Sequence, residues 1–305
     1  MAFVFGPVHS RRFGISLGVD LSPAVKQCNF DCVYCELCAA KPVGAMREVA
    51  SASEIVADIE RALQSGVVCD VLTFTANGEP TLYPHLAELV ASVRALLARF
   101  PAPPKLLLLS NGSRFGIENV REALRGFDIV KFSLDAASER VFRRVDRAAR
   151  GIAIGDIIEG IAAFARTFAG ELIAEVLLVK GYNDKPDDVA QIADALRKIA
   201  PARVDVGTID RPSAYKVSAL SESDIEALLP LFWGLRVFVP RREALRCPQS
   251  YDSAQILTTL RRRPLSEGDI TALFDNPSQQ RLQTLVQNGE VAREEAGGIV
   301  FYCAR

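Results

Sequence analysis

Nowhere does the chain run about eighteen or more apolar residues in succession, so no segment has the length of a membrane-spanning helix. The opening Met1-Ala2-Phe3-Val4-Phe5-Gly6-Pro7 lacks the basic region and the long apolar core of an export signal. These two absences set the expectation of a cytoplasmic protein. An excess of one charge is also missing. The 36 Lys and Arg stand against 37 Asp and Glu, a formal net charge of −1. That removes any global electrostatic case for nucleic acid and leaves room only for a local basic patch. No internal repeat or low-complexity tract stands out. Seven cysteines are present, an odd number in a chain of 305 residues. Disulfide frameworks suit small secreted chains, so this count points to a reducing compartment and metal chemistry.

The cysteines are unevenly placed. Cys28-Asn29-Phe30-Asp31-Cys32-Val33-Tyr34-Cys35 has the pattern Cys-x3-Cys-x2-Cys. Thiolates favour soft metals and iron–sulfur clusters. A 4Fe–4S cube normally takes four cysteine ligands. Three at tight spacing leave one iron open to something other than protein. Zinc knuckles instead prefer two pairs separated by a longer insert. Adding Cys38 gives four thiols within eleven residues, cramped for a structural tetrahedron. It also gives Cys-x3-Cys-x2-Cys-x2-Cys followed by Ala39, an order that differs from the ferredoxin run.

Around this loop the chain alternates strand and helix patterns. Ile15–Leu21, Val71–Thr75, Leu106–Leu109, Ile129–Leu134, Leu172–Val179, Val204–Ile209 and Leu235–Val239 read as strands. Helices are expected from a Ser53 cap to Ser65, over 84–99, in the region up to Phe168, over 187–199, and from Ser221 with Asp224 three residues on. Short links and buried apolar strands predict an α/β fold: a parallel sheet of six or seven strands, curved into a partial barrel over 1–249. From about Ser250 the texture changes. Helical segments at 254–262, 266–274 and 277–288, then strands at 291–294 and 299–303 turning at Gly297-Gly298, predict a winged helix-turn-helix domain over 250–305.

In parallel α/β folds ligands bind where strands end. The cysteine loop sits at such an end. So do Asn77-Gly78-Glu79-Pro80, Ser110-Asn111-Gly112, Ser133-Leu134-Asp135, Val179-Lys180-Gly181-Tyr182-Asn183 and Thr208-Ile209-Asp210-Arg211-Pro212. Any one of these reads equally well as a turn or cap. Several polar exits on one rim make a site.

With those residues laid out, the chain resembles radical S-adenosylmethionine (SAM) enzymes over roughly residues 10 to 240. Cys28, Cys32 and Cys35, with Tyr34 before the last cysteine, and the Gly78-Glu79-Pro80 loop carry the resemblance. More narrowly, Gly6-Pro7-Val8, Ser10-Arg11-Arg12, Ser16-Leu17-Gly18 and Thr208–Pro212 resemble an uncharacterised branch related to wyosine-synthase radical SAM proteins. The resemblance implies a 4Fe–4S cluster on Cys28, Cys32 and Cys35, with SAM chelating the fourth iron. It further implies reductive cleavage to methionine and a 5′-deoxyadenosyl radical, which takes hydrogen from substrate. By position, Asn77, Gly78 and Glu79 would meet the SAM amino group and Tyr34 the adenine. Ser133 and Asp135 would lie near the ribose or carboxylate, Asn111 on the same rim, and Val179 beside the adenine. A flavodoxin or ferredoxin reductant is implied, with RNA or peptide modification as candidate outcomes and no residue identified as catalytic. A winged-helix iron–sulfur redox regulator is the competing function, though a sensor has no need of the Asn77–Pro80 loop.

Two features depart from the wyosine relatives. Neither a flavodoxin-like extension nor a second cluster is expected, because few residues precede His9-Ser10-Arg11 and no second tight cysteine motif is seen. Cys38 and Cys247 are the only candidate helpers, Cys69 reads as buried core, and Cys303 lies in the wing. The tail argues against DNA, because its third helix carries one Arg, its wing is acidic at Glu294-Glu295, and Arg261-Arg262-Arg263 is its one basic spot.

Overall fold

The computed structural model describes residues 2–10, 12–240, 248–262, 264–296 and 299–305. Strands β1 (Val4–Ser10) and β2 (Gly14–Asp20) form an antiparallel hairpin. From β2 onward every strand pairs in parallel with its predecessor: β3 (Val71–Thr75), β4 (Lys105–Ser110), β5 (Ile129–Ser133), β6 (Glu171–Leu178), β7 (Arg203–Thr208) and β8 (Val237–Phe238). The eight strands run in sequence order, and among the described residues β8 does not return to β1. The sheet is an open, partial barrel. Helices α1 (Ala52–Gln64), α2 (Leu86–Leu97), α3 (Glu118–Leu124), α4 (Glu139–Val145), α5 (Ile154–Ala165), α6 (Pro186–Ile199) and α7 (Glu222–Leu228) connect the parallel strands.

Local chemistry explains these boundaries. Ser51, not Ser53, caps α1. A capping box needs an acid three residues on, and Ser51 has Glu54 where Ser53 has Val56. Ile55, Ile59 and Leu63 then recur at helical spacing on one buried face. The Ser221–Asp224 box opens α7 as expected. Strand β8 is shorter than the expected 235–239, because the Leu235 N–H turns back to the Phe232 carbonyl. Strand β1 carries Pro7 and an irregular register between Phe5 and Val8, both at home on an edge strand.

The parallel sheet has two unlike faces. Leu72, Phe74, Leu106, Leu108, Val130 and Phe132 point outward into the main core under the helices. The inner face starts with a small apolar floor, where Val71, Leu107, Ile129 and Ile173 pack with Phe13. One residue pair further along the strands the inner face turns charged. The Lys131 ammonium lies 2.6 Å from Glu175 and 3.2 Å from Asp205. Arg12 reaches both carboxylates at 3.0 Å, and Arg203 meets Asp205 at 2.7 Å. Above this layer lies the rim that carries the polar strand exits.

The C-terminal residues form α8 (Ser253–Arg262), β9 (Leu265–Ser266), α9 (Glu267–Leu273), α10 (Asn276–Gln287), β10 (Val291–Ala296) and β11 (Ile299–Ala304). Strands β10, β11 and β9 make a three-stranded antiparallel sheet. A separate apolar core includes Ile256, Leu260, Leu265, Phe274 and Leu282. This unit leans on the barrel's edge, where the Tyr251 hydroxyl donates to the Pro7 carbonyl and Arg211 Nη1 donates to the Pro264 carbonyl at 2.7 Å. Arg11, Cys247, Arg263 and the Gly297-Gly298 turn lie outside the described residues.

Candidate active site

The cysteine loop leaves β2 and is held on three sides by backbone hydrogen bonds. On the first side, Gln27 N donates to the Asn77 carbonyl at 2.8 Å and Glu79 N to the Gln27 carbonyl at 3.0 Å. This bridge brings Gly78 so close that a Cβ on it would sit 2.0 Å from the Gln27 carbonyl oxygen, and its φ of +136° is open to glycine. On the second side, Asp31 N and Val33 N donate to the carbonyls of Asp146 and Val145, and Ala149 N to that of Asn29. On the third, Ala214 N donates to the Cys35 carbonyl at 2.9 Å. Side chains finish the loop. Gln27 clasps the chain at residues 47–48 through both ends of its amide. Lys26 Nζ lies 2.8 Å from the Cys38 carbonyl and 3.3 Å from Asp31.

The three thiols of this loop share one electrostatic neighbourhood. Burial, then the Glu79 carboxylate, pushes Cys28 up to about 12. Burial likewise raises Cys32 well above its ordinary range, with Asp146, Cys28 and Cys35 adding to it. Cys35 rises through burial, against the pull of Lys26. Burial works to lower Lys26, yet Cys35 and Asp31 leave it raised on balance. Three neighbouring, half-buried thiols are costly to ionise alone, and bound cationic iron is the compensation that such a donor set suits. Among the described residues no three His, Cys, Asp or Glu side chains converge as one metal ion would require. An iron–sulfur cube demands less convergence, because each thiolate binds its own iron.

Glu79 faces the loop from the end of β3. It is 1% exposed and accepts four hydrogen bonds. Oε1 takes Thr81 N at 2.9 Å, Thr81 Oγ1 at 2.6 Å and Ser110 Oγ at 2.8 Å, while Oε2 takes Asn111 N at 2.7 Å. No donor in this set is cationic. Burial consequently raises Glu79 despite those bonds. Asn111 continues the line, its Nδ2 lying 2.8 Å from Asn29 Oδ1 and 3.8 Å from Cys28 Sγ.

The comparisons bear directly on this arrangement. A family model described as the radical SAM superfamily matches residues 23–196, more than half of the chain. The chain belongs to the radical SAM superfamily. Enzymes of this superfamily use a 4Fe–4S cluster and SAM, and these are the cofactors of this enzyme. Along its whole length the radical SAM chain is 46% identical to a UPF0026 protein of Helicobacter pylori strain J99, of which it covers 98%. Its fold is similar to Streptococcus suis SuiB bound to its precursor peptide, with a TM-score of 0.55, 15% identity, and coverage of 75% of this chain and 49% of that one. It is similar also to a radical SAM methyltransferase from Sphaerobacter thermophilus, with a TM-score of 0.54, 19% identity, and coverage of 73% and 66%. Membership favours the enzyme over a redox regulator. No helix among the described residues is long and apolar enough to cross a membrane.

Of the residues expected at the rim of this radical SAM barrel, most are brought together. A cavity of about 40 Å³ is lined by Tyr34, Asn111, Ser133 and Asp135, with Phe30 and Phe142 closing it. The Tyr34 hydroxyl donates to Asp135 Oδ2, and Leu177 N donates to Asp135 Oδ1 at 2.7 Å. Asn77 contributes its backbone, donating to Asp20 Oδ1 at 2.8 Å. Val179 stands apart. It is fully buried, its N–H is taken by Asn183 Oδ1 at 2.7 Å, and it does not line the cavity. Cys38 is exposed and offers only its carbonyl to Lys26. Cys69 is half-buried and packs against the main core.

Two further residues stand in the site: Asp146, which the sequence did not single out, and Asn183, which it named only as the last residue of a polar strand exit. Asp146 lines the same cavity, 3.5 Å from Cys32 Sγ, and burial with the neighbouring Asp135 raises it well above the carboxylate range. Asn183 is wholly buried and donates to the Asp135 and Leu177 carbonyls at 2.9 and 3.0 Å, stapling two strand exits together. Asp146 ends a short arginine-rich helix, so in sequence it reads as a solvated acid. Only the backbone pairing of 145–149 with 29–33 turns it inward.

Proposed function

We propose that Cys28, Cys32 and Cys35 each ligate one iron of the cluster, and that Glu79 receives the amino group of SAM at the remaining iron. The observation that carries this reading is the Glu79 carboxylate. It is buried and has four donors, all neutral, so a charged ammonium is the partner it lacks. The chemistry that these groups supply when bound is one-electron scission of a carbon–sulfur bond of SAM, followed by hydrogen abstraction from a substrate.

The chain's own residues then have distinct tasks. Gly78 lets the backbone of the Glu79 loop lie against the start of the cysteine loop, which sets the distance from carboxylate to thiols. Asn111 couples the same carboxylate to Asn29 inside that loop. Tyr34, Ser133 and Asp135 present hydroxyl and carboxyl groups to the cavity, where the ribose or carboxylate of SAM would bind. Asp135, pushed up to about 7 mainly by burial, holds a proton at Oδ close to neutrality. Phe30 and Phe142, packed edge to face at 5.4 Å, exclude water from the inner wall.

The substrate we place among macromolecules, RNA or peptide, in the cytoplasm, with a flavodoxin or ferredoxin as electron source. A second folded unit, which we read as a winged helix-turn-helix domain over 250–305, is of use mainly toward a large partner. Its α10 carries one cation, Arg281, and that side chain is spent on the Tyr251 carbonyl at 2.8 Å, which argues against duplex DNA. The test is anaerobic reconstitution followed by addition of SAM and dithionite. Expected are about four irons per chain and release of 5′-deoxyadenosine, with bulk tRNA or protein extract added to find which one raises turnover. A reconstituted chain that cleaves no SAM under any reductant overturns the proposal.

A further inference from the structure

Lys26 does more behind the cysteine loop than close it. Its side chain is 6% exposed, so the ammonium is held out of water close to the thiols. A buried ammonium is costly unless its donors find acceptors. It carries three of them. One lies 2.8 Å from the Cys38 carbonyl and one 3.3 Å from Asp31 Oδ1. The third is within hydrogen-bond reach of the Cys35 sulfur. Asp31 is tied down from its far side as well. Its Oδ1 also takes Ala40 N at 3.3 Å, and its Oδ2 takes the Tyr215 hydroxyl, whose ring centroid lies 4.2 Å from the Arg147 guanidinium. The carboxylate therefore divides its charge among several donors and cancels the ammonium only in part. Charge reaches the three thiols unevenly. Of the charged groups around them, Glu79 acts most on Cys28, Asp146 on Cys32 and Lys26 on Cys35. Arg211, on the loop whose Ala214 N–H holds the Cys35 carbonyl, is spent on Glu36, Asp210 and the Pro264 carbonyl. A neutral donor would brace the Cys38 carbonyl equally well, so the charge of Lys26 calls for another account.

We propose that the Lys26 ammonium, acting through the Cys35 sulfur, raises the reduction potential of the iron–sulfur cluster, and that Asp31 limits the rise. The inference rests on the reading of Cys28, Cys32 and Cys35 as the cluster's ligands. Reduction adds one electron, supplied by an external reductant, and changes no covalent bond. It makes the cluster and its thiolates more negative, so a fixed cation beside one sulfur favours the reduced form over the oxidised one. Hydrogen bonds to the sulfurs and the net charge around them are the means by which a protein sets such potentials. Lys26 is a positioning residue in this role, since it acts on the cluster through Cys35. Its burial keeps the effect from being screened away by water and salt.

The test is a redox titration of the anaerobically reconstituted full chain with dithionite and without SAM, followed by electron paramagnetic resonance and paired with an iron assay. Neither readout needs turnover. Lys26→Gln keeps a polar donor and removes the charge. In it the ratio of reduced to oxidised cluster at a fixed potential should fall about tenfold, equal to about 59 mV for a one-electron couple. Lys26→Arg should stay within about threefold of wild type, because the charge is kept. Asp31→Asn removes the partial counter-charge and should move the ratio the opposite way. Lys41→Gln removes an exposed cation three residues beyond Cys38 and should stay within about twofold. Unchanged ratios in Lys26→Gln and Asp31→Asn, with iron retained, overturn the proposal. A shift in Lys41→Gln as large as that in Lys26→Gln also overturns it. Loss of iron from both Lys26→Gln and Asp31→Asn overturns it in favour of a structural brace. A wild type that takes up no iron fails on the cluster reading, and the proposal falls with it.

Discussion

Gly78→Ala tests the geometry of the site more sharply than removal of any functional group, because it adds one methyl and deletes nothing. The added Cβ would lie 2.0 Å from the Gln27 carbonyl oxygen, 2.3 Å from its carbon and 2.9 Å from its nitrogen, all backbone atoms with no rotamer to relieve them. Reaching the 3.4 Å at which ordinary contact begins demands about 1.4 Å of separation. The backbone φ of +136° adds strain of roughly 1–3 kcal/mol for any residue with a side chain. Moving the loops apart also weakens two backbone bonds, Gln27 N to Asn77 and Glu79 N to Gln27, worth about 1 kcal/mol each. The loss of stability should total about 3 kcal/mol. The functional loss should be larger than that figure suggests, because Glu79 moves away from the thiols. A misplacement of about 1 Å at a reacting centre costs on the order of a hundredfold. Denaturant titration of the anaerobic chain measures the first quantity. Formation of 5′-deoxyadenosine per bound cluster measures the second, with iron content retained. A variant that folds with an unchanged midpoint and cleaves SAM within about threefold of wild type would refute the claim that this contact sets the site.

Three further outcomes follow from the same geometry. Substituting Cys28, Cys32 or Cys35 by Ala should each abolish retention of the cluster on reconstitution, whereas Cys38→Ala and Cys69→Ala should leave the iron content unchanged, as read by iron assay and visible absorbance. Burial lifts Asp135 from 3.8 to about 7 in the folded chain. Its contribution to stability is therefore present in full below about pH 4 and is lost as pH rises through about 7, roughly 4 kcal/mol in all. Denaturant midpoints of the cluster-free chain at pH 5 and pH 8 should differ in that direction, and Asp135→Asn should flatten the difference. Lys131 is 4% exposed between Glu175 and a wholly buried Asp205, so Lys131→Met should destabilise by about 3 kcal/mol in equilibrium unfolding.

What could be read along the chain was local. The Cys-x3-Cys-x2-Cys spacing, the strand–helix alternation and the Ser221–Asp224 cap each depend on residues a few positions apart, and the parallel sheet from β2 to β8 follows from them. The gathering of Tyr34, Asn111, Ser133 and Asp135 was legible for the same reason, since polar residues at the exits of parallel strands share one rim. Where neighbours in space were far apart in sequence, local pattern was mute. Val179 looks like an exit residue and is held in the core by Asn183, four positions on, through a turn that has no distinct signature. Asp146 reads as one acid among arginines, and only its backbone pairing with the cysteine loop, more than a hundred residues away, carries it into the site. The charged layer inside the barrel is likewise tertiary. Arg12, Lys131, Glu175 and Asp205 sit on four separate segments, and it is strand register that turns them into one compensated group. Sequence alone determined the soft-metal loop and the layered fold around it, because both are short-range chemistry. Which carboxylates face the thiols, and at what pKa, was decided by burial, which only the folded chain supplies.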